Sequence, residues 1–253
     1  MPDTPQPAIP AATLVLIRDR AGATPDLLMV ERAKAMVFAG GALVFPGGRI
    51  DPGDDALAAR LSPDADDGAA RIAAIRETIE EAGVPVGLAP APGAEALAAI
   101  RAGLHAGERF GALLDAHGLA VDLDALTYFA RWLPAHAHMR IFDTRFYLAR
   151  WPDGAAEPVV DDTENVRLLW ASAAEVLDEC AAGRAHVIFP TRRNLERLAQ
   201  YADYAHAVAD ALAHPPRTIT PWSEERDGVP HLCIPDGLGY PVTSERLTGA
   251  MRG

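Results

Sequence analysis

Short apolar runs and three-to-four-residue spacings take turns along this chain, and the turns between them mark its elements. Apolar runs over 12–17 and 26–30 predict paired strands around a turn at 19–24, and a third strand over 42–45 ends in a Gly-Gly turn. Helical spacing follows over about 69–82, where Ile72, Ile75 and Ile79 share one face, and Gly83 sits where a helix end favours a left-handed residue. Ala-rich sequence over 92–118 repeats the spacing (Leu97, Ile100, Leu104, then Phe110, Leu113, Leu114), which predicts a helical insertion beside the site mouth. Strands are expected at 126–133, 144–149 and 166–170. Ser172 to Glu175 forms a capping box that opens a helix to about Ala181. A long amphipathic helix is expected over 191–212, with Leu195, Leu198, Ala202, Ala205, Ala209 and Leu212 inward, ended by Pro215-Pro216. Residues 214–253 read as an extended C-terminal arm anchored by Trp222. Strands interleaved with helices in this way predict an α/β fold with a mixed sheet between helices.

The polar face of the 69–82 helix carries the chemistry. A residue advances about 100° per step, so Glu77, Glu80 and Glu81 fall within roughly 100° of arc, opposite the isoleucines. Such carboxylates repel by about 1 kcal/mol per pair at 4 Å even in water. Only Arg76, one turn before Glu80, is placed to offset them, and Glu80 is its expected partner. Clustered oxygens of this kind invite a hard divalent cation that keeps water and substrate phosphates among its ligands. An ordinary solvated acidic face is the plain alternative.

The surroundings favour the metal site. Gly48, five residues and Asp54, then Arg76-Glu77-Thr78-Ile79-Glu80-Glu81-Ala82-Gly83-Val84, resemble the two halves of the Nudix hydrolase signature, G-x5-E and REUXEEXGU, where U is aliphatic. Asp54 replaces Glu, Thr78 takes an aliphatic position, and 21 residues (55–75) stand where the family pattern has seven. That insert reads as a loop with a short helix near 55–61. The resemblance implies a Nudix-type α/β/α sandwich over 10–213, with insertions at about 55–70 and 90–120. It also implies Mg²⁺ or Mn²⁺ held by Glu77 and Glu81, with Glu80 as a third or water-mediated ligand. Gly47 and Gly48 would let backbone approach phosphate. Glu164, ahead of a late strand, is a candidate base, an acidic surface turn being its plain reading. Asp54 takes the place of the first glutamate, with its role in doubt.

An upstream pattern resembles that of the coenzyme A diphosphatases, LLTxR[SA]x3Rx3Gx3FPGG. Leu28, Arg32, Ala33, Gly41 and Phe45-Pro46-Gly47-Gly48 fall at its spacing, whereas Met29, Val30 and Val37 depart from it. A peroxisomal acyl-CoA branch shares the long insertion within the box. The resemblance implies cleavage of coenzyme A or acyl-CoA to 3′,5′-ADP and a 4′-phosphopantetheine species, with Arg32 on phosphate. NADH or ADP-ribose is the alternative substrate, left open by Val30 and Val37. A Nudix-fold binding module without turnover is the alternative from another class, motivated by Asp54 and the insert. Arg145 could reach a substrate or pair with Asp143, and Arg192 and Arg193 could meet a 3′-phosphate or solvent. His136 and His138 form only a weak H-x-H.

Composition adds limits. Lys and Arg total 23 against 35 Asp and Glu, a net charge of −12 that argues against nucleic acid as a partner. A small-molecule nucleotide is the expected partner, and a homodimer is left open. No apolar run approaches the ~18 residues of a membrane span, and the first residues lack a signal-peptide pattern, so the expected location is cytoplasmic. Cys180 and Cys233 stand far apart and make no disulfide framework.

Overall fold

The computed structural model describes residues 7–36, 39–134, 141–160 and 165–247. Val37, His136, His138 and Glu164 therefore lie outside the described residues. In chain order the elements begin with β1 (Ile9–Arg20), β2 (Ala23–Arg32), β3 (Leu43–Val44), β4 (Gly47–Arg49), α1 (Pro52–Leu61) and α2 (Gly68–Ala82). Then come β5 (Leu88–Ala89), α3 (Ala94–His105), α4 (Phe110–His117), β6 (Ala120–Val121), a single 3-10 turn (Leu123–Ala125), β7 (Thr127–Trp132), β8 (Phe142–Arg150) and β9 (Asn165–Ser172). The chain continues through α5 (Ala173–Ala181), α6 (Phe189–Leu198), α7 (Tyr204–Ala213), β10 (Thr218–Ile219), β11 (Trp222–Arg226), β12 (Val229–Cys233) and β13 (Ser244–Arg246).

Side chains alternate across a strand, and β1 uses both faces. Leu14 and Leu16 point into one core with α1, α2, α3 and α4, while Val15 and Ile17 point into another with α5, α6 and α7. Between these layers lies a mixed eight-stranded sheet, ordered β10-β7-β8-β1-β2-β3 among the described residues, with β4 on β1 and β9 on β2. β1 runs parallel to β8 and antiparallel to β2, β9 is antiparallel to β2, and β10 is parallel to β7. The expected α/β/α layering is what the chain adopts.

The isoleucine face of α2 anchors the site. Ile72, Ile75 and Ile79 are fully buried, worth about 1.5–3 kcal/mol each by removal of apolar surface from water. The expected capping box of α5 is present, with the Ser172 hydroxyl accepting from Glu175 N–H and the Glu175 carboxylate accepting from Ser172 N–H.

Two expectations need correction. The helix expected over 191–212 is two helices, because Asp203 caps a fresh start by accepting from the His206 N–H at 2.7 Å. The break changes the helical phase, so Ala207 and Ala211 face inward, while Ala202, Ala205, Ala209 and Leu212 face solvent. Trp222 is no anchor either. It is 43 % exposed, and Ile234, Leu238 and Tyr240 hold the C-terminal segment to the second core instead. That segment also adds β10 to the main sheet and folds back as the antiparallel β11-β12-β13.

Candidate active site

The two halves of the box, far apart in sequence, meet in space. The guanidinium of Arg76 donates to both Asp54 oxygens, Nε to Oδ1 at 3.0 Å and Nη2 to Oδ2 at 2.9 Å. Asp54 is 1 % exposed, and its Oδ2 also accepts from the Asp51 N–H at 2.9 Å, closing the cap of α1. The residues after Asp54 thus run out α1 and return at the start of α2 without separating the two halves. Asp54, with both oxygens taken, acts as a brace for Arg76.

Arg76 completes its set with Glu77 Oε1 at 2.8 Å and the Arg49 carbonyl at 2.9 Å. Its expected partner Glu80 does form an i,i+4 ion pair with it, at 3.7 Å, looser than the hydrogen bonds that Asp54 and Glu77 make with the same guanidinium. Burial works against the Arg76 charge, yet the bonds and charges of Asp54 and Glu77 outweigh it and hold its pKa above the ordinary value.

The glycine turn brings backbone against the same carboxylates. At Gly48 a Cβ would collide with the Glu77 carboxylate, and at Gly47, where φ is 156°, it would strike the backbone of β1. Gly47 N–H donates to Glu81 Oε2 at 3.0 Å, and Asn165 Nδ2 donates to Oε1 at 3.0 Å. Arg32, at the end of β2 opposite Asn165, adds its positive charge to the Glu81 environment. Glu80 is the most exposed of the three glutamates, with His105 Nδ1 3.8 Å from its Oε1.

This site carries more negative charge than it balances. Burial pushes the Glu77 carboxyl up to about 7, the nearby Glu80 adding to the rise and Arg76 opposing it. Burial and the Glu77 charge push Glu81 up to about 8, against Asn165, Gly47 and Arg32. Among the described residues no three such side chains close into a cage. Glu77 and Glu80 keep 17 % and 27 % of their side chains exposed, and carboxylate oxygens are the donors that a hard cation takes alongside water and phosphate. A cation there would also relieve the cost of burying like charges.

Other candidates sort differently. Arg145 lies on β8 in register with Ala12, which in turn pairs with Gly48, and Tyr128 accepts its hydrogen bond. Asp143 does not pair with Arg145; it takes two bonds from Arg131, at 2.8 and 2.6 Å. Arg193 is buried against Glu196 and Glu245, so it meets no substrate. Val30 is fully buried, in register with Val44. Pattern reading missed Asn165 and Arg101. Asn165 offers no pattern of its own, but Arg101 sits on the apolar stripe of α3 one turn from Leu97 and Leu104, an odd place for a charge.

Neither family models nor curated proteins match the chain. Among solved structures, a NUDIX hydrolase from Alicyclobacillus acidocaldarius is 32 % identical, with 81 % of this chain and 96 % of that one aligned and a TM-score of 0.71. A MutT protein from Methanosarcina mazei Go1 is 14 % identical over 77 % of this chain and 95 % of its own, with a TM-score of 0.42. The NUDIX domain of Shewanella oneidensis NrtR, in complex with ADP ribose, is 14 % identical over 77 % of this chain and 88 % of its own, with a TM-score of 0.44. Overlaps as loose as the last two say nothing of substrate. With the box assembled around Arg76 and the first of these relatives spanned almost end to end, the chain belongs to the Nudix hydrolase family.

Proposed function

We propose that the chain hydrolyses the diphosphate linkage of coenzyme A or an acyl-CoA, giving 3′,5′-ADP and an (acyl-)4′-phosphopantetheine, with Mg²⁺ or Mn²⁺. The observation that carries this reading is convergence on Glu81. The Gly47 amide, the Asn165 side chain and the charge of Arg32 all bear on one carboxylate. This supports reading the upstream pattern and the box as parts of one site, with Arg32 on the phosphate end of the substrate.

Nudix hydrolases generally use divalent metal ions, and Glu77, Glu80 and Glu81 are the residues that would hold one here. When bound, it supplies a water of lowered pKa and neutralises charge on the diphosphate oxygens. Gly47 and Gly48 keep side chains out of the space where phosphate approaches. Arg76, fixed by Asp54, holds Glu77 in place. A carboxylate accepts the proton of the attacking water, with Glu164 the candidate read from the sequence. Arg145, in the same strand row as Gly48, is the candidate second cation for the substrate.

Product analysis tests the reading. Protein with Mg²⁺ or Mn²⁺ is incubated separately with coenzyme A, acetyl-CoA, NADH and ADP-ribose, with Glu81→Gln as control. Release of 3′,5′-ADP from the CoA compounds, lost in the control, is expected. Cleavage of NADH or ADP-ribose alone would retain the metal site and discard the CoA assignment.

A further inference from the structure

Two of the three site glutamates stand in the last turn of α2, the part of a helix that frays first and whose terminal carbonyls lack intrahelical partners. α2 ends at Gly83, which adopts the left-handed conformation and donates to the Ile79 carbonyl at 2.8 Å. The carbonyls of Glu80, Glu81 and Ala82 then need partners from elsewhere, and α2 has no basic residue in its own last turn. α3 meets that need. Arg101 Nε donates to the Glu80 carbonyl at 2.8 Å and Nη2 to the Glu81 carbonyl at 3.1 Å. The same Nη2 donates to the Val159 carbonyl at 2.6 Å, and Val159 N–H donates to the Ala82 carbonyl at 3.0 Å.

We propose that Arg101, supplied by the helical insertion, is a positioning residue that fixes the peptide planes of Glu80 and Glu81 and so aims their carboxylates at the metal. A cation at a helix C-terminus is also favoured by the helix dipole, and a forked guanidinium spans two successive carbonyls as a single ammonium cannot. His105, one turn on, brings the same helix within 3.8 Å of the Glu80 carboxylate. The insertion thus grips the site from the end of the box helix, and its presence in the fold has a functional reason. The proposal rests on the reading of Glu77, Glu80 and Glu81 as metal ligands.

Mn²⁺ binding, followed by the electron paramagnetic resonance signal of the free ion, tests it on the full-length protein. Arg101→Met is expected to weaken Mn²⁺ binding about tenfold, as loss of an outer support of a metal ligand does. Amide exchange at 80–82 is expected to accelerate in the same variant, and KM at saturating metal to stay unchanged while kcat falls. Arg101→Lys keeps the charge without the fork and is expected to recover only part of the affinity, and it carries the test alone if the methionine variant does not fold. Arg60→Met is the control, since Arg60 pairs with Asp115 on the outer side of the same insertions, at 2.8 and 3.1 Å, and is expected to leave Mn²⁺ affinity unchanged. Wild-type affinity in both Arg101 variants, or an equal loss in Arg60→Met, overturns the positioning role. Wild-type binding that Glu81→Gln does not weaken overturns the metal reading itself, and the proposal with it.

Discussion

The two faces of the central sheet bury charge in opposite ways. Behind the sheet, Arg197 is 1 % exposed and answered on every side. It donates to Asp210 at 2.9 and 2.7 Å and to the Phe129 carbonyl at 3.2 Å, meets the Tyr201 hydroxyl at 3.1 Å, and stacks on Phe129 and Tyr240. In front of it, Asp54, Glu77 and Glu80 gather around Arg76 while Glu81 rests on Gly47 and Asn165, and burial raises Glu77 and Glu81 to about 7 and 8. A satisfied network is a structural device. Clustered carboxylates whose burial opposes their charge are what the proposed cation would relieve.

The largest break in this comparison comes from Glu81→Gln. The amide keeps the shape but removes a charge from the open site, and turnover is expected to fall about 10³-fold, measured as product release at saturating Mg²⁺. Thermal stability should not fall with it. Next is Arg197→Met, the same kind of deletion on the closed side. It leaves half-buried Asp210 with only Tyr201 and His214 and partly empties a fully buried position, and is expected to cost about 3 kcal/mol of stability, read by urea denaturation. Mn²⁺ affinity of the folded protein should be unchanged. A variant that kept its stability and lost metal affinity would reverse the contrast drawn here.

A smaller effect sharpens the contrast through pH. The Glu81 carboxyl sits at about 8 in the folded protein and near 4.3 unfolded. Folding therefore takes up a proton between those values, and the metal-free protein loses stability as pH rises from about 4.3 to 8. Glu81→Gln escapes that loss. With chelator present, the variant is expected to be more stable than wild type at pH 8, with the gap closing toward pH 4. An equal gap at both pH values would show that the carboxylate is not strained by burial. Saturating metal should shrink the gap by supplying the missing positive charge.

The box was legible in the sequence because its chemistry depends on residue types at fixed helical spacing, and the spacing survives the insertion. Its bracing was less legible. How tightly Arg76 holds Glu80 beside Asp54 depends on where the insertion returns, a three-dimensional fact that no local pattern contains. Arg101 left a trace as a charge on an apolar stripe, yet its targets are backbone carbonyls, which every residue possesses. Asn165 left no trace at all. On the other face, the expected single helix over 191–212 failed for a local reason. Asp203 offers its side chain to the His206 N–H and starts the helix again, so the inward stripe shifts to Ala207 and Ala211.

The smallest expected effect separates size from burial in the C-terminal segment. Trp222 is the larger and more conspicuous side chain, but it is 43 % exposed and its indole N–H reaches only Glu224, at 3.3 Å. Tyr240 is 8 % exposed, and its hydroxyl donates to Asn194 Oδ1 at 2.7 Å. The same Tyr240 hydroxyl accepts from the Trp132 indole at 3.3 Å, and its ring meets Trp132 edge-on. Trp222→Ala is expected to change stability by about 0.5 kcal/mol or less, since the side chain belongs to neither core and 43 % of its surface stays in water. Tyr240→Phe, which keeps the ring and removes one hydroxyl, is expected to cost more, about 1 kcal/mol, because Asn194 Oδ1 loses its 2.7 Å donor and keeps only the 3.3 Å bond from the Trp132 indole. Paired urea titrations decide the order. If the tryptophan deletion proved the costlier, the segment would be held from its exposed hairpin, and the closed network behind the sheet would lose its place as the anchor.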